Sequence, residues 1–191
     1  MELVLATHNA HKVREVAEIL EPLVPGLTLL GYDGPEPAES GSSFLENSLI
    51  KARTAFEHTG KASIADDSGI AVEILGGAPG IFSARWSGEK DDERNRQLLL
   101  AQLIEIPVQS RNASFICTVS LVTDQGEQSF TGVWPGRIAL SATGSGGFGY
   151  DPIFIPEGFE VSVAELEPMV KNALSHRSMA LGQLAGYLRP Q

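Results

Sequence analysis

Two long runs of strand-forming residues, Ala113–Thr123 and Gln128–Leu140, are joined at Asp124-Gln125-Gly126. A break that short forces the runs to pair antiparallel, because a parallel pair needs a crossover of a dozen or more residues. The chain must therefore build a sheet around this hairpin and cover the sheet with what remains.

The N-terminal half alternates instead. Leu3–Ala6 is an apolar strand with no room for a helix before the polar break at Thr7–Asn9. From Lys12 to Leu20, Val13, Val16, Ala17, Ile19 and Leu20 recur at helical spacing, and Pro22 and Pro25 are expected to close that helix. Leu27–Leu30 reads as a second strand, and Gly31–Gly41 as a loop rich in Gly, Pro and acid. Ser43 and Glu46 form a capping-box pattern for a helix from Phe44 to His58. Ala62–Ala65 and Ile70–Leu75 read as strands flanking Asp66–Gly69, with a turn at Gly76–Gly80. A third helix follows Asp91, and the last helix starts near Ser175 and ends near Leu188. Alternation followed by a hairpin predicts an α/β fold with a mixed central β-sheet and flanking helices. The 191 residues are expected to form a single domain over 1–191.

The net charge of −10 argues against stable nucleic-acid binding, which needs a basic footprint. It leaves room for a phosphorylated small molecule if a few cations gather in one place. No apolar run is long enough for a membrane span, and no basic secretory leader precedes the first strand. The single cysteine, Cys117, excludes an intramolecular disulfide and any thiolate metal site. A cytoplasmic location is expected.

Four segments carry candidate chemistry. Thr7-His8-Asn9-Ala10-His11-Lys12 joins a strand to a helix, where backbone N–H groups, Thr7, Asn9 and Lys12 favour phosphate. Taken alone, it reads first as an Asx helix cap followed by an exposed lysine. No Walker-type loop is present. Asp66-Asp67-Ser68-Gly69 sets two carboxylates side by side, a mutual repulsion that a cation would relieve. Such oxygen ligands suit magnesium, which takes one or two carboxylates together with substrate phosphates. Glu39 and Glu46 are the nearby acids able to complete the set, Glu46 in competition with its capping role. A polar turn is the alternative.

Gly144-Ser145-Gly146-Gly147-Phe148-Gly149 matches G-x-G-x-x-G, yet a strand-like Ile153–Ile155 follows where a dinucleotide site needs a helix. It reads as a loop leading to Phe148, Tyr150 and Asp151, which could stack on and hydrogen-bond a base, or else as a plain glycine loop with Phe148 in the core. Lys171 and the run Ser175-His176-Arg177 form the fourth segment. Arg177 in a first helical turn opposes the helix dipole, so an anionic or keto-bearing ligand is expected to offset it. Trp86, Trp134 and Leu98–Leu100 read as core or interface, His58 as a helix-end residue, and Asp91-Asp92-Glu93 as an acidic first turn needing no site.

Taken together the segments resemble the inosine/xanthosine triphosphate pyrophosphatase family, the noncanonical purine nucleotide pyrophosphatases. The resemblance runs through Leu5-Ala-Thr-His-Asn-Ala-His-Lys12, Phe44-Leu-Glu-Asn47, Ala65-Asp-Asp-Ser-Gly-Ile-Ala-Val72 and Gly76-Gly-Ala-Pro-Gly-Ile-Phe-Ser-Ala-Arg85. It continues through Gly147-Phe-Gly-Tyr-Asp-Pro-Ile-Phe154 and Ala173-Leu-Ser-His-Arg177. It is departed from in two places: His8 stands where many members carry glycine, and Pro168-Met-Val170 replaces acidic and basic residues.

The resemblance implies two α/β lobes around a central active-site cleft, a homodimer, and hydrolysis of dITP/ITP and XTP/dXTP to a monophosphate and pyrophosphate. It implies that Thr7, His8, Asn9, Ala10, His11 and Lys12 hold the triphosphate. Asp67 would be general base and magnesium ligand, with Glu39 as second ligand. Ser68, Phe148, Gly149, Tyr150, Asp151, Lys171, His176 and Arg177 would contact the nucleotide. We add Lys51 as a further cation for the phosphates. Two other readings are a pyrophosphatase of modified pyrimidine or ordinary nucleotides, and a nucleotide sensor without hydrolysis.

Overall fold

The computed structural model describes residues 1–189, with the side chains of Ala10 and His11 outside the description. Six strands, β1 (Glu2–Leu5), β2 (Thr28–Leu30), β3 (Ser63–Val72), β4 (Asn112–Thr123), β5 (Gly126–Ile138) and β6 (Phe154–Pro156), form one sheet. Their order is β2-β1-β3-β4-β5-β6. β1 runs parallel to β2 and β3, while β5 and β6 run antiparallel, so the sheet is mixed as the hairpin and the early alternation require. The helices are α1 (Ala10–Leu23), α2 (Phe44–Thr59), α3 (Asp92–Gln102), α4 (Pro168–Leu174) and α5 (His176–Leu188).

The chain divides into two compact units. The first comprises residues 1–67, 117–132 and 176–191, and the second comprises 68–116 and 133–175. In the first, α1 packs on α5, and Leu3, Leu5, Val16, Leu20, Ile64, Val119, Leu181 and Leu184 close a core. These are the positions that strand alternation and helical spacing select. In the second, Ile70, Val72, Leu99, Leu103, Phe115, Trp134, Ile138, Ile153 and Phe154 form a separate core. Leu99 is the buried member of the Leu98–Leu100 run.

Four expectations change. α1 continues through Pro22, because a proline in the last turn removes only one late hydrogen bond, and Val24 N–H still reaches Leu20 O at 3.0 Å. The capping box at α2 is half present: Ser43 Oγ accepts from Glu46 N–H at 3.1 Å, but the Glu46 carboxylate turns back to the Ser42 hydroxyl and N–H. The two strands expected around Asp66–Gly69 are one strand, β3, followed by a short 3-10 turn at Glu73–Leu75. The polar residues continue it because each acid finds buried partners. α4 was not expected at all; it begins at Pro168, whose fixed φ suits a first helical position.

One buried charge stabilises the second unit. Arg111 is 2% exposed and donates to three carbonyls: Ile106 O at 2.8 Å, Leu103 O at 2.6 Å and Ala139 O at 3.0 Å. It thereby ties the end of α3 to the residues just after β5, near the negative pole of the helix. Arg111→Lys keeps the charge but not the fork, and is expected to lower unfolding free energy by about 1–3 kcal/mol in urea melts.

Candidate active site

In the first unit, the turn after β1 places Asn9 as the cap of α1. Asn9 Oδ1 accepts from Lys12 N–H at 3.3 Å, and Thr7 Oγ1 accepts from Asn9 N–H at 3.1 Å. The Asx cap is therefore real, but Lys12 is no free surface lysine. Its ammonium donates to both Asp66 oxygens, at 3.0 and 3.1 Å. His8 stacks on Tyr32, with ring centroids 5.7 Å apart, so the residue standing at a glycine position contacts the start of the acidic loop. The expected roles of the Ala10 and His11 side chains lie outside the described residues.

Asp66 is 5% exposed and collects a second cation. Arg177 Nη2 donates to its Oδ2 at 3.0 Å, while Arg177 Nη1 donates to Glu15 at 2.7 Å. Burial alone would push the Asp66 carboxyl up, but Lys12, Arg177 and Lys51 together hold it far below the usual carboxylate range. The same acids raise the Arg177 guanidinium above its already high ordinary value against the effect of burial. Arg177 does lie in the first turn of α5, as expected. Its unfavourable place by the dipole is offset inside the chain, by Asp66 and Glu15. A Cβ on Gly132 would collide with His176 O, so glycine there lets β5 and the start of α5 approach closely.

Asp67, 7% exposed, has a different shell. Asn47 Nδ2 donates to Oδ2 at 3.2 Å and Lys51 Nζ to Oδ1 at 3.3 Å, and the same ammonium donates to Glu39 at 2.7 Å. Asn47 also accepts from Gly41 N–H at 2.8 Å, which ties the acidic loop to α2. Burial raises the Asp67 carboxyl above its ordinary value; Lys51 and Asn47 oppose the shift and the charge of Glu39 adds to it. Successive strand residues point to opposite sides, so neighbouring acids acquire opposite tunings. Asp66 is locked as an anion, and Asp67 is a stronger base than a free aspartate.

Glu39 and Asp67 already converge on one cation, the Lys51 ammonium, and their donors are hard oxygens. Among the described residues no cluster of three or more His, Cys, Asp or Glu is placed to hold a metal. Two carboxylates fit magnesium, which keeps its other positions for water and phosphate. Glu46 is held by Ser42, which lowers its carboxyl below the ordinary value.

In the second unit, Ser68 follows Asp67 directly along β3. Phe148 is 52% exposed and not in the core, and Lys171 Nζ lies 4.7 Å from its ring centroid. Lys171 also donates to Asp151 Oδ2 at 2.6 Å, and that oxygen accepts from Phe148 N–H at 2.9 Å. Tyr150 is a core residue whose hydroxyl donates to Ser83 O at 2.8 Å, so its ring is not offered to a base. The G-x-G-x-x-G segment leads through an unexpected 3-10 turn at Asp151–Ile153 into β6, which begins one residue later than the strand expected at Ile153–Ile155. The acidic turn Asp91–Glu93 does more than start a helix: Asp92 Oδ2 accepts from Gly149 N–H at 2.8 Å.

Sequence reading missed Glu15, Asn47 and Asp92. Glu15 had a signal, since an arginine against a helix dipole calls for an anion somewhere, and Asn47 stood in a segment that carries the family resemblance without being given a role.

Known proteins are similar to this chain over nearly its whole length. A dITP/XTP pyrophosphatase from Leifsonia xyli subsp. xyli is 54% identical, covering 99% of this chain and 96% of its own. One from Mycobacterium tuberculosis is 47% identical, covering 98% and 95%. The structure of a HAM1 protein from Coxiella burnetii matches with a TM-score of 0.91 at 39% identity, covering 98% of each chain. The Ham1 family model matches residues 3–187, which takes in every segment of the site, and this chain belongs to the Ham1 family.

Proposed function

We propose that this chain hydrolyses deaminated purine nucleoside triphosphates, dITP/ITP and XTP/dXTP, to the monophosphate and pyrophosphate, clearing them from the nucleotide pool. The observation that carries the reading is the pair of adjacent acids on β3 with opposite tuning, in a chain whose relatives are named dITP/XTP pyrophosphatases.

Asp67 accepts a proton from the water that attacks the α-phosphorus, a role favoured by its raised carboxyl. Lys51 holds Asp67 and Glu39 in register and offsets phosphate charge. Lys12, anchored by Asp66, and the backbone from Thr7 to Asn9 meet the triphosphate at the start of α1. Glu39 and Asp67 would hold magnesium, which when bound polarises phosphate and lowers the pKa of water. Phe148 presents the exposed ring on which we place the base, with Lys171 beside it. His176 and Arg177, buried at the start of α5, donate to the 6-keto oxygen of hypoxanthine or xanthine. Adenine carries an amino group there and would leave such a donor unpaired, a loss that discriminates by orders of magnitude. A homodimer, which rests on the family resemblance, and a cytoplasmic location, which rests on the single cysteine and the lack of a long apolar run, belong to the same proposal. No helix among the described residues is long and apolar enough to cross a membrane.

Product analysis tests this reading. Phosphorus NMR of a dITP reaction is expected to show dIMP and pyrophosphate growing together. Orthophosphate and dIDP instead would place the cut at the γ-phosphate and end the proposal, and nucleotide binding without any product would favour a sensor.

A further inference from the structure

The first two turns of α3 hold the backbone of Gly149, in the glycine loop, at both its N–H and its carbonyl. Asp92 Oδ2 accepts the Gly149 N–H at 2.8 Å, and Arg96 Nη1 donates to the Gly149 carbonyl at 2.6 Å. The two residues are four apart on one helix, so their side chains share a face. Arg96 Nη2 donates to Glu93 at 2.6 Å, which fixes the guanidinium fork, while its Nε is buried with no hydrogen-bond partner among the described residues. A buried donor left unmet is costly, and it is kept here by the two contacts that set the fork.

The loop needs such a hold. Between Gly146 and Gly149 the only side chain is Phe148, and its ring faces outward. Gly149 sits at φ +59, in the left-handed region that favours glycine, so no side chain at that position can anchor the backbone. The Phe148 backbone is therefore held by main-chain contacts, its own N–H on Asp151 on one side and the Gly149 clasp on the other, while Lys171 meets the ring itself.

We propose that Asp92 and Arg96 are positioning residues for purine recognition, fixing the Gly149 backbone and through it the Phe148 ring. The proposal rests on the reading of Phe148 as the stacking face. It makes the acidic turn of α3 part of substrate selection without touching the substrate.

The test compares Asp92→Ala, Asp92→Asn, Arg96→Met and Phe148→Ala in the full chain. KM and kcat for dITP, inhibition by inorganic triphosphate, and melting temperature are measured for each. Asp92→Ala and Arg96→Met are expected to raise KM about 10-fold with kcat within about 2-fold, since base stacking contributes mainly to binding. Inhibition by inorganic triphosphate, which has no base, stays unchanged. Asp92→Asn keeps an oxygen acceptor toward Gly149 and restores KM. A raised KM in Phe148→Ala with no change in Asp92→Ala and Arg96→Met would overturn the positioning role alone. An unchanged KM in Phe148→Ala would overturn the stacking reading and this proposal with it. Equal loss toward dITP and inorganic triphosphate, without rescue by Asp92→Asn, would reduce the clasp to a structural contact and overturn it too.

Discussion

Asp67→Asn is expected to lower kcat for dITP by about 10²–10⁴-fold, the range lost with a positioned general base, while nucleotide affinity stays within a few-fold. The amide keeps the shape of the side chain and can still accept from Asn47 or Lys51, so the surrounding hydrogen bonds survive in part. What disappears is the ability to take a proton. Asp67→Asn should also leave the melting temperature unchanged or slightly raised. Burial already disfavours the charged carboxylate, so a neutral isostere relieves a penalty. Steady-state kinetics, calorimetric titration with dITP and a thermal melt check the three statements. Turnover close to that of the unmodified chain would remove Asp67 from the chemistry.

Asp66→Asn, one residue away, is expected to act on the fold first. It leaves the Lys12 ammonium and the buried Arg177 guanidinium facing a neutral amide, with Glu15 still paired to Arg177. Breaking a buried pair by removing one partner costs about 3–5 kcal/mol, which for a chain of this size corresponds to roughly 10 °C in melting temperature. Urea and thermal melts of Asp66→Asn beside Asp67→Asn give the comparison. Equal stability of the two variants would contradict the opposite roles assigned to the adjacent acids.

That contrast was invisible in the sequence. Asp66 and Asp67 read as a carboxylate pair for magnesium or as a polar turn, because nothing local says that Lys12 and Arg177, itself held by Glu15, meet the first acid and Asn47 and Lys51 the second. Those partners come from α1, α2 and α5, far away along the chain, and only tertiary structure brings them to β3. What periodicity does record was legible: the apolar stripe of α1, the Asp91 cap of α3 and the hairpin of β4 and β5. The end of α1 was misplaced because proline is a weaker stop in a last turn than in a helix interior. α4 escaped because its Met169, Val170 and Leu174 are largely exposed and give no buried stripe.

The site was legible through its residue types and less so through their duties. Lys12 and Arg177 were singled out as cations for a ligand, and both also neutralise Asp66 inside the chain. Tyr150 was grouped with Phe148 as a base contact, yet its hydroxyl binds Ser83 O within the core. The glycine loop looked unsupported because its supports, Asp92, Arg96 and Asp151, lie outside it or at its end.

The account stands most directly on one measurement: initial rates of pyrophosphate release from dITP, XTP, ATP, dGTP and dTTP, each with magnesium and with a chelator. Rapid, magnesium-dependent release from dITP and XTP, with the other three far slower, is the predicted result. Comparable rates across all five nucleotides, or rates on dITP and XTP that the chelator does not change, would contradict it.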